Sequence, residues 1–324
     1  MNYIEPYDDW DLQNNIELEH AFSLDPSSSL LLSTLLSNRV LGWLVQRIEL
    51  EETGEDEPDR DQLIVSMQPN AALATFARLC PKVKHLGIND NIWYSEPCDR
   101  VVQRYLDDLQ TIRFMTMTSQ TWEDFLRFDG VTTISSCETT LSPSIAISPR
   151  LAASLVNITL IRCNRTSFKQ IQTPTWSTLR ILHIPVSLVP ILKLSRFPHL
   201  EQLSFGRPSD EFPMSSQNFC RELAASKSIK VFELQAGAQQ SLRSVWSLLG
   251  VSLPPSCYRV DLDFCRSFDL ILSMSQQAQK GHRIRQLALS AAASSESSQV
   301  QQHFLRAVRT LLDTIGVELI WCGY

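Results

Sequence analysis

The chain has 324 residues, 44% hydrophobic and 20% charged, with 10 Gly and 16 Pro, a balance that supplies a large core and excludes broad disorder. Its net charge of -6, with 29 basic residues scattered along the chain, argues against a nucleic-acid partner, because phosphate contacts need clustered Lys and Arg. No stretch reaches the ~18–20 apolar residues that span a bilayer, so no membrane partner is expected.

The N-terminus is acidic and aromatic, without the basic start and apolar run of a signal peptide, so a cytoplasmic or nuclear chain is expected. In that setting the 8 cysteines are expected as reduced thiols. The tightest Cys pair considered, Cys257 and Cys265, has no His nearby. No metal and no cofactor are therefore expected.

Residues 1–24 form an acidic tail. Asp25-Pro26-Ser27 is a helix start with Pro at the first position, opening a leucine-rich capping helix over about 25–44. After it, one pattern recurs: apolar, two variable residues, apolar, one variable, apolar. The copies are Val45-Ile48-Leu50, Val83-Leu86-Ile88, Ile112-Met115-Met117, Val131-Ile134-Ser136, Leu155-Ile158-Leu160, Leu179-Leu182-Ile184, Leu200-Leu203-Phe205, Ile229-Phe232-Leu234, Cys257-Val260-Leu262, Ile284-Leu287-Leu289 and Val317-Ile320-Cys322. Their centres are spaced by 19 to 38 residues, most near the 20–29 of a leucine-rich repeat.

The apolar–x–apolar ending has period two and reads as a short strand with one buried face. The acidic run Glu49 to Asp61 reads as a solvated loop after the first strand. Helical spacing follows over Ala71–Leu79, Arg100–Leu109, Ser187–Phe197, Gln217–Ala225, Ser241–Leu249, Phe268–Gln279 and Val300–Ile315. Strand–helix alternation predicts an α/β fold: about eleven parallel strands inside a curved solenoid, helices and turns outside, in one continuous domain over 25–324. Trp43, Trp122 and Trp246 are expected in the core, and Trp93 and Trp176 in connecting segments, where they could be exposed.

The segments LATFARLCPKVKHLGI (73–88) and LKLSRFPHLEQLSF (192–205) resemble leucine-rich repeats of the F-box type, in which a helix ending in Leu-Cys-Pro or Phe-Pro runs directly into a strand. SLLLSTLLSNRVLGWLVQRIEL (29–50) is similar to the start of the repeat region in fungal F-box-like proteins. The resemblance covers roughly 25–324. It implies a turn position occupied by Asn or Cys, here Asn91, Cys163 and Cys265. It also implies a substrate-binding region, with a cullin-ligase adaptor as partner where an F-box is present. No F-box pattern is found in Met1 to Leu24.

In such a solenoid the variable strand residues face inward and bind another protein. The first strands nominate Arg47 and Glu49, then His85 and Asn89, then Phe114. The middle strands nominate Asn157, His183 and Gln202. The last nominate Glu233 and Gln235, then Arg259, Asp261 and Asp263, then Trp321. Asp261 and Asp263 are neighbouring carboxylates that could share a proton or a metal; an ion-pair row with Arg259 is the commoner outcome. Phosphate-cradling loops, dinucleotide fingerprints, His-Glu-x-x-His and nucleophile elbows are all missing from the sequence. The expectation is a non-catalytic interaction module. The alternatives are a leucine-rich inhibitor that occludes an enzyme and, last, a hydrolase using Asp261 and Asp263.

Overall fold

A computed structural model describes residues 26–50, 75–88, 106–119, 130–206, 217–234, 253–263, 284–290, 298–314 and 316–322. The chain divides into two compact units, Met1–Arg113 and Phe114–Tyr324. The predicted helices over Ser241–Leu249 and Phe268–Gln279 lie outside the described residues, as do Trp93, Trp122, Trp246, Asn91 and Cys265.

The first unit begins with helices α1 (Pro26–Ser37) and α2 (Arg39–Gly42). Leu32 and Leu35 of α1 are buried, as are Phe76 and Ala77 of a helical turn over 75–79. Gly42 is where α2 meets that turn: a Cβ at this position would lie 1.9 Å from the Leu79 carbonyl oxygen, so only hydrogen fits. Trp43 is 60% exposed, contrary to its expected place in the core. Helical periodicity locates a face but not its angle to the rest of the unit, and here the exposed face carries Leu30, Val40, Trp43 and Leu44.

Strands β1 (Arg47–Leu50) and β2 (His85–Ile88) pair in parallel, Arg47 opposite His85 and Ile48 opposite Leu86. The Gln46 carbonyl accepts from both Lys84 N and His85 N, and the Lys84 carbonyl from both Gln110 N and Thr111 N. This second pair fixes the frame of β3 (Thr111–Thr118), which spans the division between the units. Thr111 thus takes the place that His85 holds one strand earlier, which makes the third copy Leu109-Ile112-Phe114, all three buried and three residues earlier than expected. Phe114 is fully buried and does not belong to an inner face.

The second unit carries β4 (Thr133–Thr140), β5 (Asn157–Cys163), β6 (Ile181–Pro185), β7 (Gln202–Gly206), β8 (Val231–Leu234), β9 (Arg259–Asp263), β10 (Gln286–Ser290) and β11 (Glu318–Cys322). From β4 to β11 each strand pairs in parallel with the next in sequence. Register aligns Ile134, Ile158, Leu182, Leu203, Phe232, Val260 and Leu287 in one ladder, all fully buried. Each such side chain contributes about 1.5–3 kcal/mol by leaving water. Ser136 fills an apolar position because it is fully buried and donates its hydroxyl hydrogen to the Glu138 carbonyl.

The eleventh copy is also shifted. Helix α6 (Ser298–Thr314) is followed by Gly316 at φ +70, with Gly316 N bonded to Asp313 O and Val317 N to Leu312 O. This paired capping arrangement satisfies two helix-end carbonyls and needs a residue that tolerates positive φ. The tight turn brings Leu319, not Ile320, opposite Leu287, and pairs Trp321 with Leu289. Trp321 thus holds the register position of Leu289, not the inner one expected.

Outside the strands lie α3 (Pro149–Ala152), α4 (Arg165–Ile171), α5 (Gln217–Ala225) and α6. The helix predicted over Ser187–Phe197 is instead two 3-10 segments, Val186–Ile191 and Leu194–Arg196; Pro190 has no N–H to continue an α-helix. Long polar side chains supply the bonds that a regular helix would have made. Gln172, buried, donates to Ile191 O at 3.0 Å and accepts from Lys193 N at 2.6 Å. Glu222 accepts from Leu194 N at 2.6 Å, and Ser167 Oγ from Leu141 N at 2.7 Å. Trp176 is fully buried, not exposed, because its indole N–H reaches Ile171 O at 2.8 Å. Phe219 of α5 meets Phe205 edge-on at 5.8 Å, locking helix to sheet.

Candidate partner-binding face

The residues that alternate with the buried ladder form two rows. One runs Thr133, Asn157, Ile181, Gln202, Val231, Arg259, Gln286, Glu318. The other runs Ser135, Thr159, His183, Ser204, Glu233, Asp261, Ala288, Ile320. Most are partly open; Ser204 and Ala288 are buried. Side chains in a row stand about 4.7–4.9 Å apart, the strand spacing.

The centre of the face is a hydrogen-bonded cluster. Ser204 donates to Glu233 Oε2 at 2.8 Å, and Gln202 Nε2 reaches the same oxygen at 3.2 Å. Beside it, Arg259 grips Asp261 with Nε to Oδ1 at 2.6 Å and a second bond to Oδ2 at 2.8 Å. Both oxygens of Asp261 are thereby engaged in a charge-assisted pair, an arrangement for holding shape and charge pattern, not for sharing a proton. Gln286 reaches Glu318 at 2.9 Å one step further on.

His183 stands opposite Ser204. Burial pushes its pKa down, against the opposing pull of the Glu233 carboxylate. Gly206 leaves room for the imidazole: a Cβ there would lie 3.0 Å from His183 Nε2. Asn157 is half-buried, and its Oδ1 has no partner among the described residues.

Of the nominated residues, Asn157, His183, Gln202, Glu233, Arg259 and Asp261 come together on these rows. Arg47 and His85 are exposed register partners in the first unit. Glu49 lies on β1 and Asp263 on β9 opposite Ser290, their side chains outside the described set. Asn89 and Gln235 lie outside the described residues. Cys163, at the implied turn position, has its thiol pushed up to about 12 by burial and lies 3.5 Å from Asn164 O. The cap on α4 comes from its neighbour: Asn164 Oδ1 accepts from Ser167 N at 2.8 Å. Among the described residues, no three His, Cys, Asp or Glu converge to hold a metal ion.

One set of residues escaped the sequence reading. Arg180, Glu201, Lys230, Tyr258 and Arg285 each stand just before a strand. Each of the first four offers its carbonyl to two N–H groups of the next repeat. The signal was their fixed offset from the pattern, one residue ahead of the first inner position.

No helix among the described residues is long and apolar enough to cross a membrane. No family model and no curated protein matches the sequence. Among solved structures, the chain is similar to one described as a Rad7 and Elc1 complex from yeast, at 11% identity over 77% of each chain with a TM-score of 0.31, values too low to transfer a partner or an activity.

Proposed function

We propose that the chain is an irregular leucine-rich-repeat solenoid that binds another protein on the two open strand rows, without catalysis. The observation that carries this reading is the unbroken register of β4 to β11: a continuous buried ladder behind, and in front a polar and apolar surface of fixed spacing. A surface so built offers preorganised hydrogen-bonding groups at little entropic cost to binding. Its carboxylates are tied into side-chain bonds, which favours recognition over proton transfer.

The finer form of the reading is substrate recognition related to fungal F-box receptors, supported by the segments 73–88 and 192–205. Affinity capture with the full chain tests both levels. Thr159→Arg and Gln286→Arg enlarge inner-row side chains at two separated strands while leaving the buried ladder intact. A partner recovered in stoichiometric amount by the parent chain and lost from the double variant, at unchanged melting temperature, supports the reading. Equal recovery by both chains overturns it. Co-recovery of a cullin adaptor supports the finer form; a stable partner without adaptor contradicts it.

A further inference from the structure

We propose that the edge where the chain enters β6 to β10 is a second binding surface, which takes an extended acidic peptide with two carboxylates three residues apart. Arg180 and Lys230 flank Glu201 at 3.4 and 3.0 Å, which shows that these leading side chains lie side by side in one row. The row continues through Tyr258, 40% exposed, to Arg285, also exposed. Among the described residues, neither the Tyr258 hydroxyl nor the Arg285 guanidinium has a hydrogen-bond or charged partner. The five positions hold three cations and one anion, in a chain whose net charge is -6.

Paired backbone bonds set the spacing: Lys230 O accepts Tyr258 N at 3.0 Å, and Tyr258 O accepts Arg285 N at 2.8 Å. Two strand steps separate Lys230 from Arg285, about 9.5 Å at the usual strand spacing. A polyproline-type helix rises about 3.1 Å per residue with three residues per turn, so residues i and i+3 share a side about 9.3 Å apart. Carboxylates at i and i+3 therefore meet Lys230 and Arg285, and a proline between them lies over the Tyr258 ring, as aromatic grooves take proline-rich segments. A short peptide is favoured over nucleic acid. Glu201 interrupts the positive row, and a long polyanion would be repelled by the chain's net charge.

The test uses the full chain and a fluorescein-labelled peptide, Gly-Ser-Glu-Ala-Pro-Glu-Ser-Gly, read by anisotropy. Saturable binding that weakens as salt rises is the expected result. Arg285→Ala and Lys230→Ala should each weaken it by about two- to fivefold, as removal of one exposed ion pair does. Tyr258→Ala should weaken it as well, and Thr159→Arg on the inner rows should leave it unchanged. The proposal is overturned by any of four results. These are no binding at millimolar peptide, equal binding of a peptide with its glutamates adjacent, equal binding of an oligouridylate of the same charge, or insensitivity to both charge removals at unchanged melting temperature.

Discussion

Ser204 and Glu233, on adjacent parallel strands, are joined by a 2.8 Å hydrogen bond from the serine hydroxyl to a carboxylate oxygen. Ser204 is buried and Glu233 is half-buried, so the bond runs along the open face, between a covered position and a partly open one. Ser204→Ala removes a donor to a charged group and should cost about 1.5–3 kcal/mol. Denaturant unfolding at neutral pH measures it. Glu233→Gln keeps an acceptor for Ser204 and should cost less than Ser204→Ala; the reverse order would contradict this geometry.

His183 gives the face a pH dependence with a definite sign. Burial lowers its folded pKa below the usual 6.5. Above 6.5 both folded and unfolded chains hold it neutral. As pH falls below 6.5 the unfolded chain takes up the proton first, so the stability tied to neutral His183 is lost on acidification. His183→Gln should flatten the fall in melting temperature between pH 7.5 and 5.5. Parallel decline of variant and parent would show that His183 does not report on this burial.

Two glycines make opposite demands and give a paired prediction. Gly42→Ala drives a methyl group into the Leu79 carbonyl, 1.9 Å from the added Cβ, and must move backbone. Gly316→Ala meets no atom within 4 Å, and its cost is conformational alone, about 1–2 kcal/mol for leaving glycine's positive φ to alanine. Calorimetry should show the Gly42 variant as the more damaged. A greater loss from Gly316→Ala would refute the packing of α2.

The ladder was legible in the sequence because buried strand positions of the second unit demand large apolar side chains at fixed offsets. Leu182, Leu203, Phe232 and Leu287 stand where their pattern placed them. The frame failed where the chain offers two alternations. In Ile112-Arg113-Phe114-Met115-Thr116-Met117, apolar residues fit either 112 and 114 or 115 and 117, and only the backbone bonds from Lys84 O decide between them. At the eleventh copy a one-residue difference in the turn, made by Gly316, moved the frame to Leu319.

Tryptophan burial was the least legible feature. Trp176 is buried through a hydrogen bond to Ile171 O within a connection, and Trp43 is exposed in the turn that ends a helix; neither depends on local periodicity. The inner rows were readable as positions, since they alternate with the ladder. Their chemistry was not, because the Ser204–Glu233 contact depends on register between strands 29 residues apart in sequence.

Ile181 and Leu182 are neighbours of equal size on β6, one on the open rows and one in the buried ladder. Comparing Ile181→Asp with Leu182→Asp by denaturant unfolding tests that alternation most directly. Leu182→Asp places a carboxylate among apolar side chains with no partner and should abolish the cooperative transition. Ile181→Asp should retain it, with a loss of about 1 kcal/mol. Equal damage from the two, or a cooperative transition surviving in Leu182→Asp alone, would contradict the stacked register on which the binding face depends.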